Sequence, residues 1–324
     1  MNSKFIWRVL CYASGNGNPI ISGGKMRFSR WIIRTAAVFL MAFAKPGLTA
    51  NESASLTYPN CPTQSFEEIR AQTKPTAVGR GEALIDRAVF WNRIEKIANT
   101  KEVFKFKTSK KNKVTGLTTV VEKEVTFHKS ITDNEHRTVI EAVFDRWEAT
   151  GGGHPKHLAL LLGTAYRETC GIMASTVGEA CGCRKTCSKD EFQASKYGRK
   201  DSCGRAYFGR GFVQLTGTSN YDSVGKRLSI PLQDYPNLAY EQPFAIMMLV
   251  DGVKGRWYAG KPLNTYLDDE RSDWVRARES VNPGSANKAA TGYLSCRFYD
   301  AIKPAYHKPA PAQDPALCMA LKNL

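Results

Sequence analysis

A chain of 324 residues holds one sizeable domain plus an extension more readily than two full domains. With 42% hydrophobic and 23% charged residues it is globular, which excludes a disordered, fibrous or collagen-like polymer. The formal charge of +16 predicts attraction to polyanions without choosing among nucleic acid, anionic lipid and acidic wall polymer.

Residues 1–50 read as a targeting leader. Lys25, Arg27, Arg30 and Arg34 precede Ala36 to Ala44, an apolar run of nine residues, and Gly47-Leu-Thr-Ala50 offers small residues to a signal peptidase. That run is shorter than the roughly 20 residues a bilayer-spanning helix takes. The reading is therefore a secreted or periplasmic protein with no stable membrane insertion after leader removal; an uncleaved anchor is the alternative. Outside the leader stand eight cysteines, Cys61, Cys170, Cys181, Cys183, Cys187, Cys203, Cys296 and Cys318. In an oxidising compartment they predict disulfides in one of about a hundred pairings. Cys181, Cys183, Cys187 and Cys203 alternatively make a zinc set, although they lack paired Cys-x-x-Cys spacing.

Residues 51–130 form an N-terminal extension. Leu84, Ala88, Trp91 and Ile94 give Glu82 to Ala98 the spacing of an amphipathic helix. Val103 to Lys107 and Thr118 to Phe127 then read as strands around a lysine-rich turn. Such a hairpin either grips an anionic polymer or is a solvated edge whose lysines discourage aggregation.

Residues 131–306 carry the candidate chemistry. Thr132 or Asp133 caps a helix with an apolar stripe at Val139, Ile140, Val143, Phe144 and Trp147, closed by Gly151-Gly-Gly153. Pro155 opens a second helix, apolar on all faces, that runs to Glu168 before Thr169-Cys-Gly171. A carboxylate there lies against the partial negative charge of a helix end and at the close of an apolar segment. Both disfavour its ionised form, the condition a general acid needs. From Tyr207 to Tyr221 the spacing predicts an extended segment with Gln214 and Thr216 on one face, and Ser219 as cap of a helix from Asn220. Helices follow at 220–228, 240–257, 272–281 and 286–302, ahead of a tail over 307–324. The fold class is mainly α, a helical domain with a small extended insert.

Ala165-Tyr-Arg-Glu-Thr169, Tyr207-Phe-Gly-Arg-Gly-Phe-Val-Gln-Leu-Thr216, Asn220-Tyr221, Pro236-Asn-Leu238 and Val281-Asn-Pro-Gly284 together resemble family 19 of the glycoside hydrolases. These are the plant-type chitinases and their bacterial lysozyme-like relatives. The resemblance spans about 131–306 and implies a two-lobed, lysozyme-like α+β fold and inverting hydrolysis of β-1,4 bonds between N-acetylated amino sugars, in chitin or peptidoglycan. It implies Glu168 as acid and, eleven residues on, Glu179 as the second carboxylate, with Glu191 next in line and Asp190 also on that loop. Thr216 matches the hydroxyl that holds the attacking water. Gln214, Asn220 and Asn282 match the sugar-binding amides, and Tyr207 matches an aromatic platform in the cleft. Two positions depart from the family: Arg167 where His is usual, and Pro283 where Gly is common.

No cofactor or metal is expected, since the five histidines have no ligand spacing. The expected partner of a monomer is the polysaccharide. A non-catalytic glycan- or wall-binding protein is the second reading. A nucleic-acid binder rests on charge and on the aromatic and basic residues of Phe104 to Lys107, with no specific nucleic acid expected.

Overall fold

The structure is a computed structural model that describes residues 61–75, 79, 81–111, 116–176, 198–284, 288–308 and 318. The chain divides into two units, Met1–Ser55 and Leu56–Leu324, and every described residue belongs to the second. The leader and the second-carboxylate candidates Glu179, Asp190 and Glu191 lie outside the described residues.

The described elements are mainly helical with one small sheet. In order they are α1 (Phe66–Gln72), α2 (Arg87–Asn99), β1 (Val103–Lys111), β2 (Thr118–Thr126), α3 (Asn134–Ala149), α4 (Pro155–Glu168), α5 (Thr218–Leu228), α6 (Gln242–Lys254), α7 (Trp274–Ala277) and α8 (Lys288–Ala305). Short 3-10 turns cover Lys129–Thr132, Pro236–Tyr240, Leu263–Thr265 and Arg278–Ser280. Among the described residues no helix is long and apolar enough to cross a membrane.

Helix α4 is the centre. Pro155 sits in its first turn, and nearly every residue from Leu158 to Tyr166 is buried. It lies closest to α8, where Gly163 lets the backbones touch: a Cβ there would meet Ser295 Oγ at 2.2 Å and Ser295 N at 2.6 Å. Around this pair the aromatic side chains close the core. Phe127 packs on Tyr166 and Phe298 with ring centroids 5.1 and 4.9 Å away, and Phe104 stacks on Tyr293 at 4.5 Å.

Residues 61–130 share this core. The antiparallel sheet pairs Val103 with Thr126 and Lys111 with Thr118. Its β1 buries Phe104 and Phe106 while Val103, Lys105 and Lys107 face water, the period of two that a half-buried strand requires. Lys105 pairs across the sheet with Glu124 at 3.4 Å and Glu122 at 3.7 Å. Phe104 and Phe106 are therefore unavailable to stack on bases, which leaves a nucleic-acid face resting on charge alone.

Several boundaries differ from the sequence reading. Helix α2 starts at Arg87, not Glu82, because Asp86 caps it through Val89 N–H. The preceding Leu84 and Ile85 are extended, and their N–H groups donate to Glu148 Oε1 at 2.8 and 3.0 Å. Helix α5 starts at Thr218 behind Gly217, whose φ of 89° suits only glycine, so Ser219 is inside the helix and not its cap. The predicted helix over 272–281 is one turn, α7, running into a 3-10 turn.

Disulfides join Cys61 to Cys203 and Cys296 to Cys318. The first takes Cys203 out of the thiolate set considered for zinc. Cys170 is also disulfide-bonded.

At its other end α4 anchors the loop before α7. The buried Lys156 donates through Nζ to the carbonyl of Arg271 at 3.1 Å and to that of Asp268, and His157 Nε2 donates to the Leu267 carbonyl at 2.7 Å. Burial pushes the His157 imidazole down to about 4, against the pull of its Leu267 hydrogen bond.

Two outcomes test this packing. Gly163→Ala is expected to destabilise the fold by about 1–3 kcal/mol, read from urea midpoints, because a methyl cannot enter the α4–α8 contact without separating the helices. An unfolded His157 titrates near about 6.5, so between there and about 4 the unfolded chain binds the extra proton. Stability is thus full above that window and falls as pH drops through it, by on the order of 2–3 kcal/mol. His157→Gln, which keeps a donor for Leu267 and cannot titrate, is expected to flatten this slope.

Candidate functional site

Glu168 is the last residue of α4, and the chain leaves it through a tight turn. Thr169 Oγ1 donates back to the Ala165 carbonyl at 2.8 Å and accepts from Met173 N–H at 2.9 Å. Cys170 and Met173 both take positive φ, 57° and 50°, a conformation that costs non-glycine residues on the order of 1 kcal/mol or more and is concentrated at functional sites. The turn leaves the Glu168 side chain partly open, 16% exposed.

Arg278 meets that carboxylate. Its Nη2 donates to Glu168 Oε1 at 2.5 Å from 110 residues further along the chain, and its own side chain is only 1% exposed. The sequence places Glu168 at the close of an apolar run, and the structure adds Arg278, from the 3-10 turn after α7. Burial pushes the Arg167 guanidinium below its ordinary range, Glu168 draws it back up, and the like charge of Arg278 adds to the fall. The Arg278 carbonyl accepts from Val281 N–H and Asn282 N–H, each at 3.1 Å, so Asn282 is bound to the same turn and its side chain is exposed.

The second group of predicted residues forms a cluster of its own. Between Tyr207 and Tyr221 the chain is a series of turns and not the expected extended segment. Arg210 and Leu215 pair as an isolated bridge, Gly211 takes φ 69° and Gln214 takes φ 52°. Gly211 is required twice over, since a Cβ would also meet the Ala239 carbonyl at 2.8 Å. Gln214 and Thr216 consequently do not share a strand face. Gln214 Nε2 donates to Gly211 O at 2.9 Å, Thr216 Oγ1 to Gln214 O at 2.8 Å, and Asn220 Nδ2 to Thr216 O at 2.7 Å. Among the described residues no hydrogen bond joins this cluster to Glu168.

Arg210 holds the turns together. Buried to 3% exposure, it donates through Nη1 to the Ala206 carbonyl at 2.9 Å and to Tyr221 Oη at 2.9 Å, with its guanidinium carbon 3.6 Å from the Phe208 ring centroid. Tyr207 is a correction. It is buried, packed edge-on against Tyr221, with its hydroxyl 3.0 Å from the Gln233 carbonyl and 3.2 Å from Asp201 Oδ2. Burial pushes its phenol up to about 12, Arg205 working against that and Asp201 with it. It is a support beneath the turns and not a platform for a sugar.

Two residues were missed by sequence reasoning, Arg278 and Arg210. Arg210 had a signal, a single cation inside a run of aromatics and glycines; Arg278 had none, since it lay on a stretch read as regular helix. A cavity of about 240 Å³ flanks the same end of α4, with Arg167, Tyr166, His128 and Thr126 among its walls. A larger one, about 770 Å³, is formed by Pro75, Gly79, Gly81, Ala83, α3 and α6 and is lined by none of the predicted site residues.

No protein-family model matches this sequence and no curated protein matches it, so the resemblance to family 19 stands on its quoted segments.

Tyr207→Phe is expected to lose about 1 kcal/mol of stability with the Gln233 hydrogen bond, read from urea midpoints, and unchanged stability would show that the hydroxyl is not a support.

Proposed function

We propose that the chain is an exported glycosidase of lysozyme-like, two-lobed architecture that cleaves β-1,4 bonds between N-acetylated amino sugars. The observation that carries this is Glu168: a partly open carboxylate, at the end of a buried helix, with a strained turn after it. The family-19 segments support the same reading, and the disulfides suit an oxidising compartment.

In this mechanism Glu168 gives its proton to the leaving oxygen. The charge that then develops on the carboxylate is met by Arg278, which needs no reorganisation to stabilise it. Glu179, with Glu191 as the alternative, draws a proton from a water on the opposite face of the ring, the inverting mechanism calling for carboxyls about 6.5–9.5 Å apart. Thr216 accepts from that water through the lone pairs left by its bond to Gln214 O. Asn282, exposed beside Arg278, takes a sugar amide, as do Gln214 and Asn220. The substrate is chitin or peptidoglycan glycan, and the basic charge favours the anionic polymer.

The same ion pair favours a second reading. A carboxylate closed on a buried arginine is also what a glycan-binding protein that has lost its acid would keep.

Oxidised protein incubated with chitin hexamer or purified peptidoglycan separates them. Cleavage with anomeric inversion, reduced at least about a hundredfold in Glu168→Gln, is the expected result. Tight binding of either polymer without cleavage gives the binding reading.

A further inference from the structure

We infer that Arg278 is a positioning residue, which aims Glu168 through its side chain and holds Asn282 through its main chain. The inference rests on Glu168 being the proton donor. Arg278 is buried, yet among the described residues only its Nη2 is paired there; Nε and Nη1 have no hydrogen-bond partner, and neither does the buried Ser280 Oγ two residues on. Unpaired guanidinium donors in such a place cost stability, and a buried ion pair can in general be exchanged for apolar side chains of like volume without loss. Packing alone therefore does not account for an arginine at this position.

What arginine adds over an apolar residue or a lysine is direction. Its planar fork, held by its buried surroundings, presents one N–H to the carboxylate in a set direction, whereas an ammonium on a flexible stem has no such fixed direction. The turn that carries Arg278 is itself fixed. Trp274, one turn earlier, is fully buried, and its carbonyl lies against Gly292 of α8 so closely that a Cβ there would meet it at 2.9 Å. The Arg278 carbonyl in turn receives the N–H groups of Val281 and Asn282. Acid and amide thus hang from opposite ends of one residue on a fixed turn, so a displacement of Arg278 moves both relative to a bound sugar.

The test compares Arg278→Lys with wild type on the polymer that wild type cleaves, alongside thermal unfolding of Arg278→Met alone and combined with Glu168→Gln. The lysine variant keeps the charge and loses the fork; its kcat is expected to fall at least about tenfold with KM within about threefold, the signature of a misaligned reacting group. Arg278→Met alone, which strands Glu168, is expected to lower Tm by about 5 °C or more, and the double variant to recover it. Full kcat in Arg278→Lys overturns the inference. A loss carried by KM, or a double variant as unstable as the single, makes Arg278 a structural residue and overturns it as well. Wild type that cleaves neither polymer overturns the glycosidase reading and this inference with it, whereas active wild type with an unimpaired lysine variant overturns this inference alone.

Discussion

The contact of α4 with α8 is the constraint on which the other elements depend. Helix α4 is apolar all round and must be covered on every side, so it can exist only as the inside of something. The missing side chain at Gly163 lets α8 come close enough to cover one side, and the rings of Phe127 and Phe298 cover another. A helix so enclosed carries charged groups only at its ends. One end holds His154, Lys156 and His157 against the loop before α7; the other holds Glu168.

Buried charge is used in a consistent way around this core. Glu148 gathers the N–H groups of Leu84 and Ile85, Lys156 the carbonyls of Asp268 and Arg271, and Arg210 those of Ala206 and Phe208. Each charge serves an irregular segment whose backbone groups lack the partners a helix or sheet would give. Arg278 differs, because among the described residues its side chain meets no backbone carbonyl and bonds only to the Glu168 carboxylate. Where the other three hold loops in place, this one holds a side chain.

The helices were legible because burial imposes a period: the stripe of α3 at Val139, Ile140, Val143, Phe144 and Trp147 is buried as read, and α4 begins at Pro155 as read. Glu168 was legible for the same reason, as the polar residue that ends an apolar run. Helix starts were less so, since Asp86 and Gly217 set them by local hydrogen bonding and dihedral angle. The Tyr207 to Tyr221 stretch alternates like a strand but has no neighbouring strand to pair with, and glycines at positive φ fold it on itself. Its polar side chains then bond to its own carbonyls, which alternation cannot reveal. The pairing of Arg278 with Glu168 joins residues 110 apart, and nothing local to either announces it.

The Cys61–Cys203 disulfide closes a covalent ring across a sequence separation of 142, and α4 with Glu168 lies inside it. A protease that nicks the chain once anywhere in that span opens a loop but releases no fragment, because the two pieces remain tied at the sulfurs and packed on a common core. Damage of this kind would be silent until the disulfide was reduced.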